Sequence, residues 1–319
     1  MNIKSNTIPF EVIDKRVREV TETEYTYLVT EPDSHICDVS NYSEYGLNSL
    51  GKLVGFLANF ILDLAESNEE LANIIITDRM GRYFHTAREN KKQFYIREFN
   101  GKIYGALSNR YAFFDDNAVC DILANSPLST LKYQESEITP ERLHLRAIDL
   151  DNPFKVTGDN SNLFFVYYID NSMLGLSAFK VRLGVFRQIC SNGMIVPQHE
   201  FTVCKAVHRG ERNIADEFNA AILSISSQRD QLINLVTFMS EQKAAIEDLN
   251  DMFRTMYVQK KLNLSQKESF EVLELYDSYS ETYGIKSKWA MVSAITEFAK
   301  GIENIERRTL IESRAASIA

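Results

Sequence analysis

The chain has 319 residues, 45% of them hydrophobic, 25% charged and 11% aromatic, which excludes disordered, collagen-like and low-complexity classes. Thirty-five Lys and Arg against 44 Asp and Glu leave a net charge of −9, the wrong global sign for non-specific coating of nucleic acid. No apolar run approaches the roughly 18 residues that span a bilayer, and MNIKSNTIPFEVIDKRVREV lacks a signal-peptide h-region, so a cytoplasmic protein with no membrane contact is expected.

In chain order, the first two-thirds read as strands and turns and the last third as helices. After a polar, acidic opening over residues 20 to 45, GLNSLGKLVGFLANFILDLAES reads as a helix. Its Leu47, Leu50, Leu53, Leu57, Phe60 and Leu64 make one apolar stripe at three- and four-residue steps. ANIIITDRMGRYF follows as a β-branched, strand-like run ending near Thr77. In KKQFYIREFNGKIYGALS, Asn100-Gly101 sits between two alternating segments, as a type I′ hairpin turn demands, because both turn positions need φ > 0.

Asp115 or Asp116 is placed to cap a short helix through Ala118, Val119, Ile122 and Leu123 that stops before Pro127. Strands are expected around Leu131–Ser136, Leu143–Leu150, Leu163–Ile169, Ser177–Phe186 and Phe201–Val207. From Asn213 to Lys261 neither Gly nor Pro occurs, which predicts one long helix or two joined by a bend. Ser265-x-x-Glu268 is a capping box opening a further helix that Gly284 ends. Ser287 caps a last helix running nearly to the end. The length suggests two units sharing a core: a strand-rich α+β part over residues 1–210 and a helical part over residues 211–319.

Enzyme signatures are absent. There is no G-x-x-x-x-G-K-[ST] or G-x-G-x-x-G phosphate loop, no G-x-S-x-G elbow and no H-E-x-x-H. His199, Cys204 and His208, with Cys190 upstream, have zinc-ligand chemistry, but strand alternation points His199 away from the face that Cys204 and His208 share. Asp115/Asp116 read as helix-end charges and Glu66–Glu70 as a solvated face. No catalytic residue, metal or cofactor is expected. The four separated cysteines imply reduced thiols.

One basic stretch stands above this background. Arg79, Arg82, Arg88, Lys91, Lys92, Arg97, Lys102 and Arg110 are opposed only by Glu89 and Glu98 between Arg79 and Arg110, with Tyr83, Phe84, Phe94, Tyr95, Phe99, Tyr104 and Tyr111 interleaved. Cations for phosphates beside rings for bases are what single-stranded nucleic acid requires. Alternation puts Tyr95 and Arg97 on one face of the hairpin and Phe94, Ile96 and Glu98 on the other, so one face packs while the other presents Tyr95 and Arg97. A smaller patch holds Lys180, Arg182 and Arg187, with Phe179, Val181, Leu183 and Val185 behind it. Solvated strand faces are the plain alternative for both patches.

SNRYAFFDDNAVCDIL and NSMLGLSAFKVRLGVFRQICSNGMIV resemble the phage/plasmid-like protein family, a domain of unknown function. The matching positions are Ser108-Asn109-Arg110-Tyr111, Asp115-Asp116, Asn171, Ser172, Gly175, Ser177, Arg187, Cys190 and Asn192. The helical tail with Trp289, Ala294, Thr296 and Glu297 extends the similarity over roughly residues 95 to 310. The family's His-Asp pair is replaced here by Met173-Leu174. The resemblance implies origin in a phage, plasmid or other mobile element rather than an activity. In outline alone, a basic hairpin unit followed by long helices is also similar to phage single-strand annealing proteins.

The sequence therefore leads to an α+β fold, an antiparallel curved sheet packed against long C-terminal helices. Its expected function is binding of single-stranded DNA by a non-catalytic, self-associating mobile-element protein, in recombination or strand annealing. The alternative is a protein-interaction factor with a host or phage protein partner, such as an inhibitor of a bacterial defence complex, working through Glu22, Glu24, Glu31, Asp33, Asp38 and Glu44.

Overall fold

The computed structural model describes residues 7–86, 92–156, 159–187, 192–195, 202–209, 213–241, 254–258, 262–283 and 287–318. β1 (Thr7–Pro9) leads into α1 (Phe10–Thr21), whose Phe10, Ile13 and Val17 recur at helical spacing and are all buried. β2 (Glu24–Val29) lies inside the acidic opening. α2 (Glu44–Val54) starts at Ser43, whose hydroxyl accepts from the Gly46 N–H, and ends at Gly55 in the left-handed region. α3 (Ala58–His85) bends at Asn68, where the side chain accepts from the Leu71 N–H at 3.0 Å and caps the second half afresh.

Two expectations are corrected here. The single helix expected from Gly46 to Ser67 is broken at Gly55. The β-branched run before Thr77 is helical, because Ala72, Ile76 and Met80 repeat every four residues and are all buried; burial overrides strand propensity.

β3 (Phe94–Phe99) and β4 (Lys102–Ser108) form the hairpin, with Asn100 at φ 50° and Gly101 at φ 73°, both turn positions left-handed as the sequence requires. Sheet order is β2-β3-β4, fully antiparallel. Asp115 is the N-cap residue of α4 (Asp116–Ala124), but its carboxylate makes no capping bond.

The larger sheet comprises β5 (Lys132–Ile138), β6 (Leu143–Ile148), β7 (Phe154–Val156), β8 (Asp159–Asn171), β9 (Phe179–Arg187), β10 (Asn192–Ile195) and β11 (Thr202–Ala206), with β1 on its edge. Its order is β1-β5-β6-β8-β9-β10, with β7 also on β8 and β11 also on β9, all antiparallel. The five strands expected between Leu131 and Val207 are present.

The Gly-free run after Asn213 forms α5 (Ile214–Ile222) and α6 (Ile225–Glu241), and its continuation over residues 242–253 lies outside the described residues. α7 (Gln266–Tyr283) opens on the expected capping box: the Ser265 N–H donates to Glu268 Oε2 at 2.7 Å, and the Glu268 N–H to Ser265 Oγ at 3.3 Å. Gly284, the expected stop, is outside the described residues. The last helix is in fact two, α8 (Lys288–Lys300) and α9 (Ile305–Ile318), separated by Gly301–Asn304.

The main core lies on one face of the larger sheet and draws residues from Phe10 to Ala315, so strands and C-terminal helices share it. α8 is buried nearly all round, as a central helix must be, with Trp289 to Thr296 all inside. A second core packs α2 and α3 on the β2-β3-β4 sheet through Leu47, Leu50, Ile76, Phe94 and Ile96. The molecule is thus α+β with antiparallel sheets and mostly C-terminal helices, and no described helix is long and apolar enough to cross a membrane.

Candidate functional site

The hairpin alternates as expected, but its second face is not open. Arg97 is only 1% exposed. Its guanidinium pairs with Glu24 on β2 at 3.0 Å and with Asp115 before α4, and donates to the Met173 carbonyl at 3.1 Å. Phe113 covers it, with the guanidinium carbon 5.1 Å from the ring centroid. Arg97 therefore fastens the N-terminal sheet to the rest of the chain, and the expectation that it stands free for phosphate is corrected. A charge this deeply buried is tolerable only with such partners.

What the same face does expose is apolar and aromatic. Leu28 and Tyr95 are cross-strand partners, and the Tyr95 ring meets Phe113 edge-on at 4.9 Å. Leu28 is 43% exposed and Phe113 41%, with Tyr95 half-buried between them. Phe113 also meets Tyr111 at 5.4 Å. Leu28, Tyr95 and Phe113 make a small shelf, in which Tyr95 alone is a candidate binding residue from the sequence.

Four of the expected cations gather at one end of the hairpin. Phe94 pairs with Ser108, so Lys92 and Arg110, two residues beyond each, leave the ladder at the same end. Lys92 stands 4.7 Å over the Tyr83 ring, and Tyr83 meets Phe94 at 5.9 Å, which brings the end of α3 with exposed Arg79 and Arg82 to this corner. Arg82 shares its charge with Asp78 one turn earlier, at 2.9 Å.

Lys102 is exposed at the opposite end of the ladder, roughly 20 Å away at 3.3 Å per residue. Lys180 and Arg182 lie in the other sheet on the face away from the main core, where Arg182 is committed to Asp170 at 2.5 Å. Arg88 and Lys91 are outside the described residues, as is the Arg187 side chain. The basic stretch is therefore not one furrow among the described residues but a corner, a buried clamp and outlying charges.

Beneath the shelf lies a buried polar centre around Asp116, a residue whose sequence context reads as a helix-end charge. Asp116 is 1% exposed; its Oδ1 accepts from Asn171 Nδ2 at 2.7 Å, and Asn171 Oδ1 meets His208 Nε2 at 3.1 Å. The Tyr111 hydroxyl donates to the carbonyls of Ser172 and Met173, both at 3.1 Å, and its ring stacks on His208 at 5.3 Å. Asp116 Oδ2 and Arg97 Nε have no hydrogen-bond partner among the described residues.

Burial pushes the Asp116 carboxyl up to about 7, with Asp115 and Glu24 adding to the rise against Asn171 and Arg97. Burial likewise raises Glu24 and holds His208 below its ordinary value. Met173 and Leu174, in place of the polar pair expected from the resemblance, pack against Phe99 of the hairpin. No group of three or more metal-ligating side chains is found among the described residues.

Glu24, Asp33 and Asp38 of the acidic opening are spent on structure: Glu24 on Arg97, Asp33 on the Ile36 N–H and Asp38 on the Ser40 N–H.

The architecture defines a mixed α+β protein whose polar centre is formed where a central strand, the loop before α4 and the segment after β11 meet. The chain belongs to the family of the domain of unknown function DUF932, whose model matches residues 103–316. Tyr111, Asp115, Asp116, Asn171 and His208 fall inside that match, whereas Glu24 and Arg97 fall outside it. No curated protein and no solved structure matches the chain.

Proposed function

We propose that this protein is a non-catalytic, cytoplasmic binding factor of a phage, plasmid or other mobile element that holds single-stranded DNA and promotes recombination or annealing as a homo-oligomer. One observation carries this reading: the exposed shelf of Leu28, Tyr95 and Phe113 borders the hairpin end from which Lys92 and Arg110 project. Bases stack on Tyr95 and Phe113, while Arg79, Arg82, Lys92 and Arg110 take phosphates. Base–aromatic stacking contributes about 1–3 kcal/mol per base and tolerates any sequence, which suits annealing.

Fluorescence anisotropy with a labelled oligothymidylate tests the assignment. Binding is expected at low salt, with log K falling against log salt at a slope of about −3 for four phosphate contacts. Phe113→Ala with Tyr95→Ala should weaken binding at least tenfold at constant slope, and Lys92→Glu with Arg110→Glu should flatten the slope. Absence of binding at 50 mM salt, or indifference to both pairs of changes, rejects the reading.

A further inference from the structure

A second constellation lies on the outer face of the larger sheet. Register places Glu137 of β5, His144 of β6, Asp170 of β8, Lys180 of β9 and Lys205 of β11 opposite one another in turn, a charged row across five strands. The carboxylate at its centre is fully used: Asp170 meets His144 Nδ1 at 2.6 Å and Arg182 Nη2 at 2.5 Å. Burial alone would raise Asp170, yet these two partners hold it below its ordinary value. Glu137 lies at the other end of the row, 3.8 Å from His144 Nε2.

The two lysines are left with no salt bridge to a described residue. They are directly opposite on antiparallel strands, a like-charge pairing that normally destabilises a sheet. Lys180 is half-buried between Arg182 and Lys205; burial lowers its pKa, Asp170 partly restores it, and the two cations lower it again. Three adjacent cations with one committed carboxylate form a site short of negative charge.

We propose that Lys180 and Lys205, flanked by Arg182, bind a phosphate group on this outer face of the sheet. The ligand oxyanion bridges the two ammonium groups, which explains why like charges are kept opposite one another. Arg182, held by Asp170 and lying 5.8 Å over the Tyr168 ring, fixes the wall of the site without needing to move. Lys205, on a different strand from Lys180 and Arg182, joins them only through the β9–β11 register. The site does not depend on the aromatic shelf, because it lies in another sheet.

Isothermal titration with inorganic phosphate, and separately with a short oligothymidylate, tests this on the full chain. Lys180→Gln with Lys205→Gln should weaken phosphate binding at least tenfold, while Phe113→Ala leaves it within twofold; circular dichroism verifies that both variants fold. Phosphate binding lost in the double variant supports the site with free phosphate groups as ligand. Loss of oligonucleotide binding alone supports it with the nucleic-acid backbone as the source. Equal binding of both probes by wild type and the double variant, or no binding of either by wild type, overturns it. Shelf variants that lose DNA while phosphate binding persists would keep the two sites separate.

Discussion

Replacing Asp116 by Asn should make the protein more stable at neutral and alkaline pH, although the change deletes a buried carboxylate of the family domain. Glu24 and Asp115 pair with a single guanidinium, Arg97, the Asp116 carboxyl lies within reach of all three charges, and burial holds the neighbouring His208 below its ordinary value. Asp116, pushed up to about 7, is the carboxyl of this centre that keeps its proton up to neutral pH. In the unfolded chain the same carboxyl titrates near 3.8. The fold thus binds the proton more tightly than the unfolded chain, so stability falls as pH rises from about 4 to about 7 and is level above. At 1.36 kcal/mol per pH unit, the full cost of ionisation is about 4 kcal/mol, an upper figure because the centre relaxes when charged. Asn keeps the acceptor for Asn171 Nδ2 and removes the charge. Urea unfolding of both proteins at half-unit steps from pH 4.5 to 8.5 measures the difference. Asp116→Asn should gain on wild type progressively up to pH 7, reaching at least 1 kcal/mol. A gap that is flat with pH, or that widens in favour of wild type above pH 7, refutes the proton assignment.

Arg97→Met should cost about 3–5 kcal/mol by stranding Glu24 and Asp115, and hydrogen exchange should show the β2-β3-β4 amides losing protection first; a loss under 1 kcal/mol would show that the clamp is dispensable. Gly175→Ala should lower the melting temperature, because φ is +72° and a Cβ there would lie 2.9 Å from the Tyr111 ring; calorimetry finding no change contradicts that packing. His208→Asn should remove a loss of stability that wild type shows on acidification, since burial holds the histidine below 6.5 and the unfolded chain takes up the proton more readily as pH falls through that value; parallel pH profiles for the two proteins would contradict it.

Local pattern made much of this fold legible. The type I′ turn at Asn100-Gly101, the capping box at Ser265 and the strands from Lys132 to Ala206 follow from short-range rules. The failures share a cause. Residues 72–80 look like strand because Ile and Thr cluster there, yet their fourfold spacing of Ala72, Ile76 and Met80 faces an apolar core supplied by β3 and α2.

The candidate site shows the same limit. Alternation correctly put Tyr95 and Arg97 on one side, but what lies over that side comes from Phe113, Asp115 and Met173. No window around the hairpin contains all of that cover. Asp116 and His208 are 92 positions apart and meet only through Asn171; the sequence marks one as a helix-end charge and the other as a lone zinc-ligand type, and nothing in it joins them.

Arg97 comes from a segment preceding the matched domain, whereas the carboxylate and carbonyl that receive it belong to that domain. Through this one guanidinium, a side chain outside the matched residues holds together a strand outside the match (Glu24) and a loop and strand end inside it (Asp115 and Met173), so the two parts fold as one unit.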